Sequence, residues 1–241
     1  MLDLRKYEDW IQKCSRCKFC QATCPVFLEE LLETYTAGAR INLIYACLAK
    51  GEFPTSERFR EVLDRCLLCT SCVQGCPPNI PVDEIVVIAR HNLYQGKRRD
   101  VMRRNVLRGF MERRGFGSIL AKAGAVISEL GLFPSDFPAP AEKPFSELCR
   151  GIVPAEGKTR AKVAYFVGCA TNAFYPDTAE DVVRVMSVNG IEVIIPEGIV
   201  CCGLPALVDG DIETALGFAQ KNVEILAELD VDAIITDCTS C

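Results

Sequence analysis

Residues 14–25 read CSRCKFCQATCP and residues 66–77 read CLLCTSCVQGCP. Both are C-x-x-C-x-x-C-x-x-x-C-P, with the same spacing in every gap. A chain carrying this repeat has to fold so that two tight, thiol-rich loops face each other. Thiolates are soft donors that suit iron–sulfur clusters. Cysteines three apart cover three corners of one 4Fe–4S cube, and after three more residues the chain has turned away, so the fourth reaches the neighbouring cube. One cluster is therefore expected on Cys14, Cys17, Cys20 and Cys76, and the other on Cys66, Cys69, Cys72 and Cys24. Pro25 and Pro77 each remove an amide donor and fix φ where the chain leaves the loop. The competing reading is a pair of structural zinc sites, which C-x-x-C pairs also make. Three evenly spaced thiolates plus Cys-Pro, written twice, fit cubanes better.

The chain has 241 residues, enough for one large or two ordinary domains with real cores. Fifteen cysteines would suggest disulfides in a secreted chain, but these spacings are those of metal ligation. The first residues, MLDLRKYEDW, carry acids and no apolar core of a signal peptide. No uninterrupted apolar run approaches the length of a membrane span. A cytoplasmic protein is expected, with peripheral attachment to the inner face of a membrane as an option. The net charge of −5 gives no bias toward nucleic acid.

Residues 3–13 read as a short helix leading into the first loop, and 39–50 as a second, closed by Gly51. After Pro54, Phe59, Val62, Leu63 and Cys66 share one helical face. Beyond Pro81, with Asp83 and Glu84 in the first turn, Val82, Ile85, Val86, Ala89 and Leu93 form another stripe. Helix, loop, helix, twice over, is a helical two-cluster domain. Residues 97–114 hold eight basic and two acidic side chains, read either as a docking face for an acidic partner or anionic headgroups or as a solvated helix face. A helix over 118–130 is expected to end at Gly131. Five of the thirteen prolines then fall between residues 132 and 160, which read as a linker.

The character changes after residue 160. Lys162–Val167 reads as a strand, Asp177 and Glu180 as a helix cap, Glu192–Ile195 as a strand. A long helix with Ile212, Ala215, Leu216, Ala219, Val223 and Leu226 on one face follows, then a strand at Ala233–Thr236. Strand and helix alternating at this pace argue for an α/β unit with a parallel sheet. No G-x-G-x-x-G follows a strand, which argues against a dinucleotide site. Cys169, the pair Cys201-Cys202 and the C-x-x-C of Cys238 and Cys241 all follow strand ends. Open α/β sheets bind ligands at that edge, so these five predict a third metal or redox site.

Two ferredoxin-type motifs followed by Cys169, Cys201-Cys202-Gly203 and Cys238-x-x-Cys241 resemble the iron–sulfur subunits of glycolate oxidase, of lactate and anaerobic glycerol-3-phosphate dehydrogenases, and heterodisulfide reductase. The resemblance covers nearly the whole chain. It implies an α + α/β architecture: a ferredoxin-type two-cluster domain at 1–131, a linker at 132–160, and a Rossmann-like cysteine-rich (CCG) domain at 161–241. In those families the cysteine-rich unit occurs twice, so one copy ending on Cys241 is expected to be incomplete, truncated at its C-terminus. The resemblance also implies two 4Fe–4S clusters and a third iron–sulfur cluster on Cys169, Cys201, Cys202, Cys238 and Cys241. The expected function is electron relay, with no catalytic residue in this chain, from a flavoprotein dehydrogenase subunit that oxidises glycolate or lactate. The electrons would pass toward a membrane quinone-reducing component or another carrier. The alternative it implies is a thiol–disulfide reductase acting at the five-cysteine cluster.

Cys47 and Cys149 lie outside every motif; the first reads as core packing and the second has no assigned role. His91 stands alone, which leaves haem ligation between histidines unsupported and a surface or hydrogen-bonded histidine expected. Arg40 aligns with an arginine that follows the first cluster in the resembling subunits, or is an exposed helical arginine.

Overall fold

The computed structural model describes residues 2–14, 16–94, 104–105, 108–109, 111–112 and 138–241. The helix expected over 118–130 lies outside the described residues, as does most of the basic stretch 97–114. The chain forms two compact units, one of residues 1–102 with 205–212, the other of 103–204 with 213–241.

The first unit is helical. Its main elements are α1 (Glu8–Gln12), α2 (Phe19–Thr23), α3 (Pro25–Glu30), α4 (Ala37–Ile44), α5 (Glu57–Asp64), α6 (Ser71–Gln74) and α7 (Val82–Tyr94). The Thr36 hydroxyl accepts from the Ala39 amide at 3.3 Å and caps α4. Ser56 does the same for α5, accepting from Phe59 at 3.1 Å. These caps satisfy amides that the first helical turn leaves without partners. Tyr45–Ala49 extends α4 as a π-helical turn, with Lys50 N–H donating to the Tyr45 carbonyl at 2.9 Å. Gly51, at φ +68°, then stops the helix where the sequence places its end.

Ile41 and Ile44 of α4, Phe59 and Leu63 of α5, and Ile85, Val86 and Ala89 of α7 make one buried core. Each large apolar side chain removed from water there contributes about 1.5–3 kcal/mol. Cys14, Cys20, Cys66, Cys72 and Cys76 pack against this core. The thiols thus line the edge of an apolar scaffold.

The second unit holds a four-stranded sheet in the order β1-β3-β2-β4, with β1 Gly151–Val153, β2 Ala161–Tyr165, β3 Ile191–Ile195 and β4 Ala233–Ile235. β2 runs parallel to both β3 and β4, with Val163 opposite Val193 and Ala233. The sheet is not purely parallel: β1 pairs antiparallel with β3, Ile152 opposite Ile194. This edge strand and the short helix α8 (Phe145–Leu148) come from the proline-rich stretch. Phe145 is fully buried, its ring edge-on to Tyr165 at 6.1 Å.

Helices α9 (Cys169–Phe174), α10 (Pro176–Val188), α11 (Leu204–Val208) and α12 (Ile212–Ala227) follow. α10 starts with Pro176 at its first position, so Asp177 sits inside the first turn and makes no cap. The buried face of α12 is Ala215, Phe218 and Asn222, whereas Leu216 and Val223 are each 64% exposed. The expected face was wrong because Phe218, the bulkiest apolar side chain of the helix, turns inward and takes Asn222 with it.

Candidate metal centre

The two cysteine loops repeat in backbone conformation as well as in sequence. Arg16 and Lys18 in one loop, and Leu68 and Thr70 in the other, hold positive φ angles of 55°, 66°, 52° and 60°. Non-glycine residues seldom occupy this region, so its recurrence at matching positions marks a built loop. Lys18 and Thr70 stand directly before α2 and α6, which carry Cys20 and Cys72 in their first turns.

Each loop supplies thiols to two cavities. The first, about 280 Å³, is lined by Cys14, Cys17, Cys20 and Cys76, with Cys72 at its wall. The second, about 20 Å³, is lined by Cys24, Cys66, Cys69 and Cys72. Gly38 keeps the first cavity clear, since a Cβ there would lie 3.8 Å from the sulfurs of both Cys14 and Cys20. Among the described residues, no three His, Cys, Asp or Glu side chains close on a point that could hold one metal ion. A tetrahedral zinc would need sulfurs about 3.8 Å apart, from its 2.3 Å bonds. These thiols instead ring a space, and the donor type and the larger cavity fit a body several atoms across. The second cavity has the same donor type around a smaller space.

Burial raises the Cys20 thiol above its ordinary pKa, opposed by a hydrogen bond from the Gly38 backbone. Burial pushes Cys72 up to about 12, with Cys66, Cys69, Cys24 and Cys20 adding to the effect. Cys72 is thus the thiol nearest to being shared by both loops. Metal loading here has to displace protons.

The five cysteines of the sheet unit also come together. Cys169 opens α9 after β2, Cys201 and Cys202 follow β3, and Cys238 and Cys241 follow β4. The Cys201 thiol donates to Cys169 Sγ at 3.4 Å. A Cβ on Gly168 would lie 3.2 Å from Cys238 Cβ and 3.5 Å from Cys241 Sγ, so that glycine leaves room for both. Hydrogen bonds from Cys201 and then Cys241 hold Cys202 far below the usual thiol range. The bond from Cys201 lowers Cys169 to about 7. Cys201 and Cys241, as the donors, are pushed up. Donors and acceptors alternate along the cluster, Cys201 and Cys241 giving and Cys169 and Cys202 receiving.

Comparison with known proteins identifies both parts. Residues 10–80 match the family described as "4Fe-4S dicluster domain", and residues 163–241 that described as "Cysteine-rich domain". The chain is an iron–sulfur protein with a dicluster domain and a cysteine-rich domain. It is similar to the probable glycolate oxidase iron–sulfur subunit of Bacillus subtilis, 28% identical over 98% of this chain and 59% of that protein. The glycolate oxidase iron–sulfur subunit of Escherichia coli is 27% identical over 96% of this chain and 56% of its own length. A subunit of the fumarate reductase (CoM/CoB) of Methanothermobacter marburgensis is 26% identical, covering 96% of this chain and 42% of that protein. The chain thus spans between 42% and 59% of the length of these relatives. No solved structure matches it. Among the described residues, no helix is long and apolar enough to cross a membrane.

In the dicluster domain, buried polar residues hold the loops, and apolar periodicity passes over them. Arg90 of α7 is 3% exposed and donates to the carbonyls of Leu63, Asp64, Cys66 and Val208. It pins the end of α5 where the second loop begins. Arg40 is also buried, at 2% exposure, rather than on the surface. His91 is buried, with Nδ1 2.9 Å from the Gly210 carbonyl, and so is a hydrogen-bonded histidine. Cys47 packs against the core, and burial raises its thiol. In the cysteine-rich domain Asn222 accepts from the Val200 amide at 2.9 Å and donates to the Cys201 carbonyl at 3.0 Å. That side chain fixes the Cys201-Cys202 turn from the inner face of α12. The signal for these residues in sequence is a polar side chain on or beside an apolar stripe.

Proposed function

We propose that this chain is the electron-relaying iron–sulfur subunit of a flavin-dependent oxidase or dehydrogenase for a 2-hydroxy acid such as glycolate or lactate. A partner flavoprotein would oxidise the acid, and electrons would leave toward a quinone at a membrane component or toward another carrier. The observation that carries this reading is the division of eight thiols between two adjoining cavities, each drawing on both loops. Cys14, Cys17, Cys20 and Cys76 would hold one 4Fe–4S cluster, and Cys66, Cys69, Cys72 and Cys24 the other. A ferredoxin-type dicluster domain over 1–131 and a Rossmann-like domain from 161 belong to the same reading, with the proline-rich stretch 132–160 between them supplying edge strand β1 to the sheet. So do cytoplasmic residence and peripheral attachment to a membrane.

A cubane supplies one-electron transfer, and its potential follows from hydrogen bonds to sulfur, local charge and burial. The chain's own part is to place the thiols at the edge of the apolar core and keep them close enough for electrons to pass. No side chain here is assigned to abstract a proton from the hydroxy acid. Replacing cysteines of either motif is expected to abolish dye or quinone reduction by the complex while substrate still reduces the flavin. Loss of flavin reduction as well would defeat the proposal.

A second reading is favoured by the gathering of Cys169, Cys201, Cys202, Cys238 and Cys241 into one hydrogen-bonded patch at the sheet edge. These would hold a third iron–sulfur cluster that reduces a disulfide. Disulfide-dependent reoxidation of the reduced protein, lost in Cys202→Ala, is its expected signature; no reoxidation by any disulfide would rule it out. Iron analysis distinguishes the two sites: about eight atoms for two cubanes, about twelve with a third cluster.

A further inference from the structure

The two cysteine loops are near copies, but buried arginines favour the second: Arg90 bonds the Cys66 carbonyl, and Arg40 stands in the wall of the second cavity alone. Arg40 is 2% exposed, and its Nε donates to the Val62 carbonyl at 2.9 Å. Its Nη2 is buried with no hydrogen-bond partner among the described residues. Arg40 lines the second cavity, with Cys24, Cys66, Cys69 and Cys72, and is absent from the wall of the first. Its chain neighbours Gly38, Ala39 and Ile41 line the first cavity instead. α4 therefore borders both cavities, and Arg40 is the charged residue it turns to the second, beside Ala37.

A buried guanidinium with no ion pair among the described residues is costly, by several kcal/mol after relaxation. Tyr35 offers only the face of its ring, 6.0 Å away. Asp83, half-buried in the first turn of α7, is the acidic side chain in the same wall. The matching anion is a thiolate-bound cluster. The first cavity has Arg16 and Lys18 at its wall, but both are exposed, and Lys18 is paired to Glu33 at 2.8 Å. Solvent and salt screen charges at such positions far more than a buried one.

We propose that Arg40 is a positioning residue that donates through Nη2 to a sulfur of the cluster in the second cavity and raises its reduction potential above that of the first. The inference rests on the crossed-ligand reading given above. Taking up an electron adds one negative charge to the cluster. A fixed cation and a hydrogen bond to sulfur both favour that state. Electrons entering the pair then come to rest on the cluster nearest Arg40, so one side chain gives the relay its polarity.

The test is an anaerobic redox titration of the iron-loaded full chain, followed by low-temperature EPR, with total iron measured alongside. The wild type is expected to bind at least eight irons and to give two separable midpoints for the dicluster domain. In Arg40→Met the higher of these falls by at least tenfold in the reduced-to-oxidised ratio at fixed potential, about 59 mV for one electron, and the lower stays in place. Arg40→Lys, which keeps the charge and loses the planar donor, gives a smaller fall of the same midpoint. Asp83→Asn raises it. Equal shifts of both midpoints, or a change below twofold in both Arg40 variants, would overturn the inference while leaving the ligand reading intact. If Arg40→Met binds too little iron, Arg40→Lys decides by the same criterion. A wild type unable to bind eight irons would overturn the ligand reading and this inference with it.

Discussion

Arg90→Met removes the clamp at the mouth of the second cysteine loop. The wild-type guanidinium donates at 2.6 Å to Val208, 2.5 Å to Leu63, 2.6 Å to Cys66 and 3.2 Å to Asp64. Three of these are short bonds from a charged donor, each contributing about 1.5 kcal/mol at the low end of the range, or about 4–5 kcal/mol together. Two effects offset part of that. The Leu63 carbonyl keeps the Cys66 amide as a second donor at 3.0 Å. Deleting a buried charge also returns some of its desolvation cost, which is the main reason the Arg90 pKa lies below its ordinary value. The net loss is about 3 kcal/mol, which corresponds to about 6–12 °C in melting temperature for a chain of this size. Anaerobic thermal melts followed by circular dichroism, with iron content per chain, are the assay. The expected result is a lower melting point and preferential loss of the cluster on Cys66. Arg90→Met with full iron and a melting point within about 2 °C of wild type would refute the claim that this residue holds the loop.

Because the second cavity takes Cys24 from the first motif, Cys24→Ala and Cys69→Ala are expected to lose the same EPR signal and Cys76→Ala the other; a signal that follows the motif instead would reverse the ligand assignment. Gly203→Ala places a methyl 2.9 Å from the Ala215 carbonyl oxygen at φ +92°, and is expected to cost about 1–3 kcal/mol from strain alone, read as a lowered melting point and less iron bound near Cys201. Burial raises Cys47, and Cys149 chiefly for the same reason. A raised thiol pKa keeps the sulfur protonated through neutral pH, so alkylation of the folded protein near pH 8 should spare both, with labelling rising only as pH climbs above the ordinary thiol value. Rapid labelling of either near pH 8, read by peptide mass spectrometry, would contradict the raised thiol pKa of these half-buried cysteines.

The helices beside the cysteine loops could be read from the sequence because caps and apolar spacing agreed with each other. Phe59, Val62 and Leu63 are buried as their spacing predicts, and Gly51 ends its helix. The inner face of α12 was missed because apolar counting selects Leu216 and Val223, while the fold needs Asn222 inside to hold the Cys201 turn. The same rule hides Arg90, whose four carbonyl partners come from two distant parts of the chain. Edge strand β1 was hidden by the prolines of the stretch around it and by having only three residues. The convergence of the cysteines was legible, since spacing alone brings them to two loops and one sheet edge. What spacing does not carry is the buried polar framework behind them, because its bonds are to backbone atoms that every residue has.

The repeated backbone of the two loops has a further consequence. Each cavity takes part of its wall from the other loop, with Cys24 crossing one way and Cys76 the other. Neither copy is then a module that can be transplanted, duplicated again or discarded by itself. A deletion that spares one motif intact still opens both pockets. Whatever the ancestry of the two copies, selection now acts on the interlocked pair as a single heritable part.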